Sequence, residues 1–243
     1  MLNFFSKIIL YNLEKKLSKW LESEGKRAKG QACFRKQHST TDHLVTPRII
    51  VEEYRNDKSN LFCCFVDFRK AFDTVPRYNL WKRLEELKVP LELRAAAIRL
   101  YENVIAKLKS NEGSSKYIKC NVGVKQGFPL SPTLFGIYID KLEGYLEEAG
   151  CDGTILAGIV VILLLYADDI VLLARCPSDL DKQLKLLKDF CSTMGMTVNT
   201  DKTKIMIIKS KKDTYANFMY DNSNLEEVSS YKYLGIDIHH KLN

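Results

Sequence analysis

Residues 159–174 constrain the fold of this chain more than any other stretch. They read I-V-V-I-L-L-L-Y-A-D-D-I-V-L-L-A, so that Asp168 and Asp169 lie between apolar runs rich in Val and Ile. This pattern is typical of a buried β-hairpin with the two acids at its tip. A membrane-spanning helix is excluded because the unbroken apolar run, 155–165, is too short and two acids would lie near the middle of the span.

The acidic tip of this hairpin has two interpretations. Aspartate is a common turn residue, because its side chain can bond to the nearby backbone. Alternatively, adjacent carboxylates raise one another's pKa, and bound divalent cations would remove that cost. Residues 166–169 taken alone do not decide between a turn and a cation site.

Composition limits the class of protein. The chain has 243 residues, of which 46% are hydrophobic, enough for a core in one domain or two subdomains. A net charge of +7, with basic clusters at 26–36, 69–83 and 202–212, suits a nucleic-acid partner as well as an ordinary solvated surface. Seven cysteines without a C-x-x-C motif indicate a reduced, intracellular chain, which we expect in the nucleus, the cytoplasm or both, and not in a membrane.

Periodicity and capping residues predict an α+β order of helices and strands. The continuously apolar Leu61–Val66 predicts a central strand that ends on Asp67. The first predicted helix ends near Gly25, and the second runs from the capping residues 39–42 to about Tyr54 with a kink at Pro47. The third starts at Pro76, and the fourth follows Pro90, with apolar positions up to Val104 and Leu108. The fifth begins at Ser131 and Pro132 and ends at Gly150, and the sixth is capped by Ser178 and ends at Gly195. The other predicted strands are 116–122, 204–209, two strands flanking 221–224, and 231–238.

Three acids at the ends of the predicted strands could form one cluster. Asp67 ends one buried strand, and Asp168 and Asp169 lie at the tip of a buried hairpin, so adjacent strands of one sheet would bring the three carboxylates together. Two-metal phosphoryl transfer uses such a cluster to hold two divalent ions about 3.5–4 Å apart. Hard cations prefer oxygen ligands, which explains carboxylates rather than His or Cys.

Six sequence blocks resemble the reverse transcriptases of non-LTR (LINE-like) retrotransposons. The blocks stand in the family's order, cover nearly the whole chain, and read Q-A-C-F-R-K-Q-H-S-T-T-D, F-V-D-F-R-K-A-F-D, G-V-K-Q-G-F-P-L-S-P, Y-A-D-D, M-G-M-T-V-N-T-D-K-T-K and Y-K-Y-L-G. The resemblance implies a right-hand polymerase palm, an antiparallel sheet packed on helices, with partial fingers and without a thumb. It places partial fingers at 1–60, the palm core at 61–212 with a fingers-like helical segment at about 77–122, and a palm-edge hairpin with a primer-grip-like strand at 213–243.

The resemblance also implies catalytic roles. Asp67, Asp168 and Asp169 match the acids that hold two magnesium ions, with manganese as a substitute ion. The backbone carbonyl of Phe68 matches a further metal ligand. Lys202 matches a lysine proposed to protonate the leaving pyrophosphate, although a solvated lysine beside a strand fits the sequence nearly as well.

Further positions match the nucleotide, template and primer sites of the family. Phe72, five residues after Asp67, matches the steric gate that excludes a 2′-hydroxyl; a core aromatic is the alternative interpretation. The other matches are Gln126 and Gly127 for the nucleotide, Arg35 and Lys36 for the template, and Tyr233, Leu234 and Gly235 for the primer grip. Loop, packing or solvated-surface roles are the simpler interpretation of each of these.

The implied function is extension of a DNA primer on an RNA template with deoxynucleotides, within a larger retroelement polyprotein. The family's first fingers segment, a thumb, an endonuclease and a zinc knuckle are expected to be missing from this chain. Cys33, Pro47 and Phe128 also depart from the family pattern. A truncated, inactive remnant that binds nucleic acid or a partner is therefore one alternative. An RNA-dependent RNA polymerase or a telomerase-like relative is another, and the aromatic Phe72 argues against the RNA polymerase.

Overall fold

The computed structural model describes residues 4–31, 33, 40–56, 59–107, 109–110, 113–156, 158–208 and 217–240. Its helices are α1 (Phe4–Ser23), α2 (Thr40–Asn56), α3 (Ala71–Thr74), α4 (Arg77–Glu86), α5 (Leu91–Tyr101), α6 (Leu130–Ile139), α7 (Lys141–Glu148) and α8 (Pro177–Met194). Its strands are β1 (Leu61–Val66), β2 (Ile105–Ala106), β3 (Lys109–Ser110), β4 (Gly113–Ser114), β5 (Ile118–Lys119), β6 (Thr154–Leu156), β7 (Ile159–Val161), β8 (Leu163–Tyr166), β9 (Asp169–Ala174), β10 (Lys204–Ile208), β11 (Met219–Tyr220), β12 (Ser223–Asn224), β13 (Glu226–Glu227), β14 (Ser230–Tyr233) and β15 (Ile236–His239). The mixture of helices and a mainly antiparallel sheet confirms the predicted α+β class.

The chain divides into two compact units. The first consists of residues 1–26 and 70–138, and the second of residues 27–69 and 139–243. The first unit contains α1, α3, α4, α5 and most of α6, together with the short antiparallel pairs β2–β5 and β3–β4. The second unit contains the main sheet. The fingers and palm boundaries expected from the sequence stay a prediction.

The main sheet of the second unit has the strand order β13-β10-β1-β9-β8. All its neighbouring pairs are antiparallel except β10 with β13. All six residues of β1 are buried, which confirms the predicted central strand. A strand with both faces covered reads as a continuous apolar run, and L-F-C-C-F-V is such a run.

Helices and the last hairpin cover this sheet. Helix α8 turns a stripe of apolar residues toward it, and burial of each such side chain contributes about 1.5–3 kcal/mol. Pro177 at the first helical position favours the start of α8, and Gly195, with φ of 66°, ends the helix as predicted. One buried cluster joins α2, the sheet and β14; its members are Ile50, Val51, Tyr54, Leu61, Cys63, Phe65, Leu164, Val171, Leu173, Met206, Ile208 and Tyr233.

Three predicted helix boundaries are wrong. Helix α5 ends at Tyr101 because Glu102 is extended and Asn103 has a φ of 54°, so the helix does not continue through Val104. Helix α8 begins at Pro177, and Cys176, not Ser178, precedes it. The long helix predicted to end at Gly150 is interrupted at Asp140, whose buried carboxylate forms an ion pair with Arg27.

Ser131 does not cap a helix, and two predicted strands differ from those in the structure. Ser131 lies inside α6, where its hydroxyl donates to the carbonyl oxygen of Lys125. The predicted strand 116–122 is reduced to β5, and the predicted strand 231–238 is the hairpin β14–β15. Leu234 and Gly235 form its two-residue turn with φ of 48° and 87°, a conformation that suits glycine.

Candidate active site

The acidic hairpin forms as the sequence predicts. Strands β8 and β9 pair from Leu163 opposite Leu172 to Tyr166 opposite Asp169. Ala167, with φ of 57°, and Asp168 form the turn between them. Residues 159–161 do not belong to this hairpin but form β7, which pairs with β6.

Strand pairing brings the third acid, Asp67, to the same end of the sheet as Asp168 and Asp169. Strand β1 runs antiparallel to β9, and its last residue, Val66, lies opposite Ile170. The next residue in each case, Asp67 after β1 and Asp169 before Ile170, therefore lies at the same end of the two strands. With Asp168 in the adjoining turn, the three predicted carboxylates are brought together at one end of the sheet.

Asp67 is held by the segment that leads into β10. The Asn199 side-chain amide donates to Oδ1 of Asp67 at 3.1 Å, and the backbone N–H of Asn199 donates to the Asp67 carbonyl at 2.8 Å. The backbone N–H of Asp67 donates to Oγ1 of Thr203 at 3.2 Å. Phe68 is buried and forms an isolated antiparallel bridge with Val198. Asn199 was not expected at this site, although it lies in the motif M-G-M-T-V-N-T-D-K-T-K.

The electrostatics of the cluster show an excess of negative charge. Burial raises the pKa of Asp168, and the charge of Asp67 raises it further. Burial, then Asp168, then Asp67 raise the pKa of Asp169 to about 6. Asp169 as a whole is exposed, so water screens part of this repulsion. Mutual repulsion of this kind is the condition that a bound cation relieves.

The three acids provide the type of ligand that a hard cation prefers, but they do not form a complete set of metal ligands. In the part of the chain that is described, no group of three or more His, Cys, Asp or Glu side chains is arranged so that it could hold a metal ion. The three acids nevertheless supply oxygen donors and surplus negative charge, which magnesium prefers.

We expect the Asp168→Asn variant to be more stable than the parent chain in a chelator-containing buffer at pH 7.5. The pKa of Asp169 is higher in the folded state than its ordinary value of 3.8, so the fold loses stability as the pH rises from 3.8 to about 6, and the full loss is present at pH 7.5. Removing the neighbouring charge should raise the melting temperature by about 2–4 °C, the equivalent of about 1 kcal/mol in a domain of this size.

This stability difference should disappear near pH 4, where Asp169 is protonated in the folded protein, and Asp152→Asn, at an exposed aspartate, is the matched control. Equal melting temperatures of the parent and Asp168→Asn at pH 7.5 would show that the acids do not repel one another.

The predicted primer-grip residues lie in the hairpin β14–β15. Tyr233 is 2% exposed and belongs to the buried cluster, whereas Leu234 is half-buried and Gly235 is exposed in the turn. Their role at the primer stays a prediction. Lys202 is exposed in the turn before β10, and its backbone N–H donates to the carbonyl of Asn199 at 3.1 Å.

Tyr231 is a residue of this hairpin that sequence analysis did not assign to the site. Its ring stacks on Phe65, with ring centroids 4.2 Å apart. Burial raises the pKa of Tyr231, and so do the charges of Asp169 and Asp67, which places its hydroxyl in the field of the acids. Its position two residues before Tyr233, and so on the same face of β14, is the sequence signal that could have found it.

The predicted nucleotide-binding residues lie in the first unit. Phe72 is half-buried and stacks on Phe135, with ring centroids 4.4 Å apart. Gln126 is exposed and its amide donates to Oδ1 of Asp73 at 2.9 Å, while Gly127 has a φ of 77°.

Two further findings bear on the expected partners. Arg35 and Lys36, the predicted template contacts, lie outside the described residues. None of the helices in the described ranges is long and apolar enough to cross a membrane.

Comparison with known proteins supports the resemblance drawn from the motifs. A retrovirus-related Pol polyprotein from the type-1 retrotransposable element R2 of Nasonia vitripennis is 29% identical over 199 residues, 77% of this chain and 19% of the relative. An RNA-directed DNA polymerase from the mobile element jockey of Drosophila melanogaster is 24% identical and aligns with 88% of this chain and 23% of its own length. The chain thus spans about a fifth of the length of these relatives.

Solved structures show the same fold. A telomerase from Candida tropicalis, in complex with a fragment of telomeric RNA, superposes with a TM-score of 0.64 at 18% identity, over 98% of this chain and 37% of the telomerase. A telomerase from Candida albicans gives a TM-score of 0.59 at 18% identity over 95% of this chain. The family described as "Reverse transcriptase (RNA-dependent DNA polymerase)" matches residues 3–238. The order of the motifs, the polymerase fold and this match agree: the chain belongs to the reverse transcriptase family and is a reverse transcriptase domain related to those of R2 and jockey retrotransposons.

Proposed function

We propose that this chain catalyses RNA-templated extension of a DNA primer with deoxynucleotides. The observation that carries the proposal is the meeting of Asp67, Asp168 and Asp169 at one end of adjacent strands. Besides burial, the charge of Asp67 raises the pKa of Asp168, and the charges of Asp168 and Asp67 raise the pKa of Asp169. A phosphoryl-transfer site needs concentrated negative charge of this kind to bind metal.

The proposed site residues have separate tasks. Asp67, Asp168 and Asp169 hold two magnesium ions, or manganese in their place, with the carbonyl of Phe68 as a further ligand. When bound, the ions supply charge stabilisation and activation of the primer hydroxyl. Asn199 restrains the Asp67 carboxylate through its amide. Lys202 donates a proton to the leaving pyrophosphate.

Substrate contacts are proposed from the resemblance and from local structure. Phe72 rejects the 2′-hydroxyl of ribonucleotides, and its stacking on Phe135 fixes the ring for that task. Gln126 and Gly127 contact the nucleotide. Contacts to template and primer come from Arg35 and Lys36 and from Tyr233, Leu234 and Gly235. Template sequence is read by base pairing, so the protein needs only backbone and shape contacts.

The proposed setting is inside the cell, within a larger polyprotein and with nucleic acid as partner. All seven cysteines are free thiols, and five of them are buried, which suits a reducing compartment. The curated relatives are longer than this chain, which suits a domain that works beside others.

Primer extension on an RNA template tests the proposal. The chain, its Asp168→Asn variant and the Asp152→Asn control are compared with magnesium and all four deoxynucleotides. We expect extension by the parent and by the control, no detectable extension by Asp168→Asn, and loss of all extension when a chelator is added.

Failure of the parent chain to extend the primer, with template binding retained, would overturn the proposal. That result would favour the alternative of a non-catalytic remnant that binds nucleic acid. Equal extension by Asp168→Asn and the parent would instead remove the acid cluster from the active site.

A further inference from the structure

Arg77, at the start of α4, is a buried arginine whose acceptors are backbone carbonyl oxygens. Its Nε donates to Gly123 at 2.9 Å, and its Nη2 donates to Val122 at 3.1 Å. Its Nη1 donates to Cys120 at 2.7 Å and to Tyr101 at 3.3 Å. A planar guanidinium has its donors in a fixed fork, so it fixes these carbonyls relative to one another.

The loop that Arg77 holds, residues 120–126, is also tied to the segment that carries Phe72. The N–H of Gly123 donates to the Val75 carbonyl and the N–H of Val124 to the Phe72 carbonyl, both at 2.8 Å. Gly123 has a φ of 80°, and a Cβ on it would lie 2.6 Å from the carbonyl oxygen of Asp73. The backbone of the loop therefore lies directly against residues 72–75.

The end of this loop is held from a second side. The backbone N–H of Lys125 donates to the Tyr101 hydroxyl at 3.3 Å, and that hydroxyl is 3.0 Å from Oγ of Ser131. The Arg77 guanidinium lies over the Tyr101 ring, 5.1 Å from its centroid. Gln126 follows at once, so the position of its backbone is set by Arg77 and Tyr101 together.

We propose that Arg77 is a positioning residue for the incoming deoxynucleotide. It holds the carbonyls of the loop, and thereby fixes the backbone that presents Gln126 and the register between this loop and Phe72. Burying a guanidinium is costly unless its N–H groups are hydrogen-bonded. Here they donate to carbonyl oxygens of the loop 120–126 and of Tyr101. The inference rests on the proposed function, because it assumes that Gln126 and Phe72 contact a nucleotide.

Arg77→Lys tests the inference, with Arg99→Lys, at an exposed arginine of the same unit, as the matched control. Lysine keeps the charge but cannot span the four carbonyls. We expect the KM for deoxynucleotides to rise about tenfold in primer extension and kcat to change far less, because displacement of the loop weakens binding of the nucleotide equally in the ground state and in the transition state. Amide hydrogen exchange at Gly123 and Val124 should become faster. A role in stability alone would lower the amount of active enzyme, and hence apparent kcat, without raising KM.

The milder variant Tyr101→Phe keeps the ring and removes the hydroxyl that binds Lys125. It should shift KM and exchange in the same direction by a smaller factor, and it serves if Arg77→Lys does not fold. Faster exchange with unchanged KM would show that the loop does not set nucleotide affinity. Unchanged exchange would show that Arg77 does not hold the loop. A parent chain without any extension activity would remove the proposed function and the nucleotide role, whereas exchange would still decide whether Arg77 fixes the loop.

Discussion

Primer extension should fall by at least about a thousandfold when Asp67 is replaced by asparagine. The metals of such a site contribute several kcal/mol to catalysis, and each 1.36 kcal/mol is worth about a factor of ten in rate. Asparagine matches aspartate in shape, and its carbonyl oxygen can still accept the amide of Asn199, which lies 3.1 Å from Oδ1 in the parent. The hydrogen bond from the backbone N–H of residue 67 to Oγ1 of Thr203 is also retained. The loss should therefore appear in kcat without any loss of thermal stability, and single-turnover extension measures it.

Asn199→Ala is the companion variant. It leaves all three carboxylates in place and removes only the side-chain donor to Asp67, so we expect a loss of roughly 10- to 150-fold, which corresponds to about 1.5–3 kcal/mol for a hydrogen bond to a charged group. A loss as large as that of Asp67→Asn would mean that the segment before β10, rather than the charge of Asp67, is what the site requires. Full activity of Asp67→Asn would exclude Asp67 from catalysis.

Arg27→Met should be the most destabilising of the substitutions considered for the second unit. Nε of Arg27 lies 2.8 Å from Oδ2 of Asp140, and each side chain is 2% exposed. Gln31 donates to the other carboxylate oxygen at 3.2 Å. Burial raises the pKa of Asp140, while Arg27 and Gln31 oppose that shift by stabilising the ionised form. Removing the arginine leaves a buried carboxylate without its cation, which costs about 3–5 kcal/mol. Urea unfolding of the two proteins measures the difference.

A double replacement separates the charge from the packing at this pair. Arg27→Met with Asp140→Leu should recover much of the lost stability, because an apolar pair of similar volume avoids the desolvation cost. Arg94 and Glu85, 3.0 Å apart with the glutamate side chain 70% exposed, provide a surface control whose disruption should cost less than about 1 kcal/mol. A loss of that small size for Arg27→Met would contradict a buried ion pair.

The sequence predicts the elements that depend on local patterning. Continuous apolar residues specify β1, alternation of apolar runs around Asp168 specifies the hairpin β8–β9, and Gly195 specifies the end of α8. These three features rest on periodicity and turn chemistry, which operate over a few residues. The meeting of Asp67 with the hairpin acids was expected only if their strands are neighbours in one sheet, and the pairing of β1 with β9 is a long-range contact.

Features that depend on distant partners are not predictable in the same way. The interruption between α6 and α7 coincides with Asp140, whose partner Arg27 lies 113 residues earlier in the chain. Ser131 has the sequence context of a helix cap, but its hydroxyl is engaged with Lys125 and Tyr101. Arg77 looks like an ordinary residue of a helix start, and only the folded loop reveals its four acceptors. Side-chain partners of this kind are set by tertiary structure.

The central place of β1 has a consequence for biosynthesis. Both neighbours of β1 come much later in the chain, β9 at Asp169–Ala174 and β10 at Lys204–Ile208. At translation rates of about 5–20 residues per second, roughly ten seconds or more pass between the synthesis of β1 and that of β10. Folding dominated by such non-local pairing is slow, and an unpaired apolar strand is prone to aggregate in the meantime. Nascent chains of this protein should therefore depend on chaperones until residue 208 has left the ribosome.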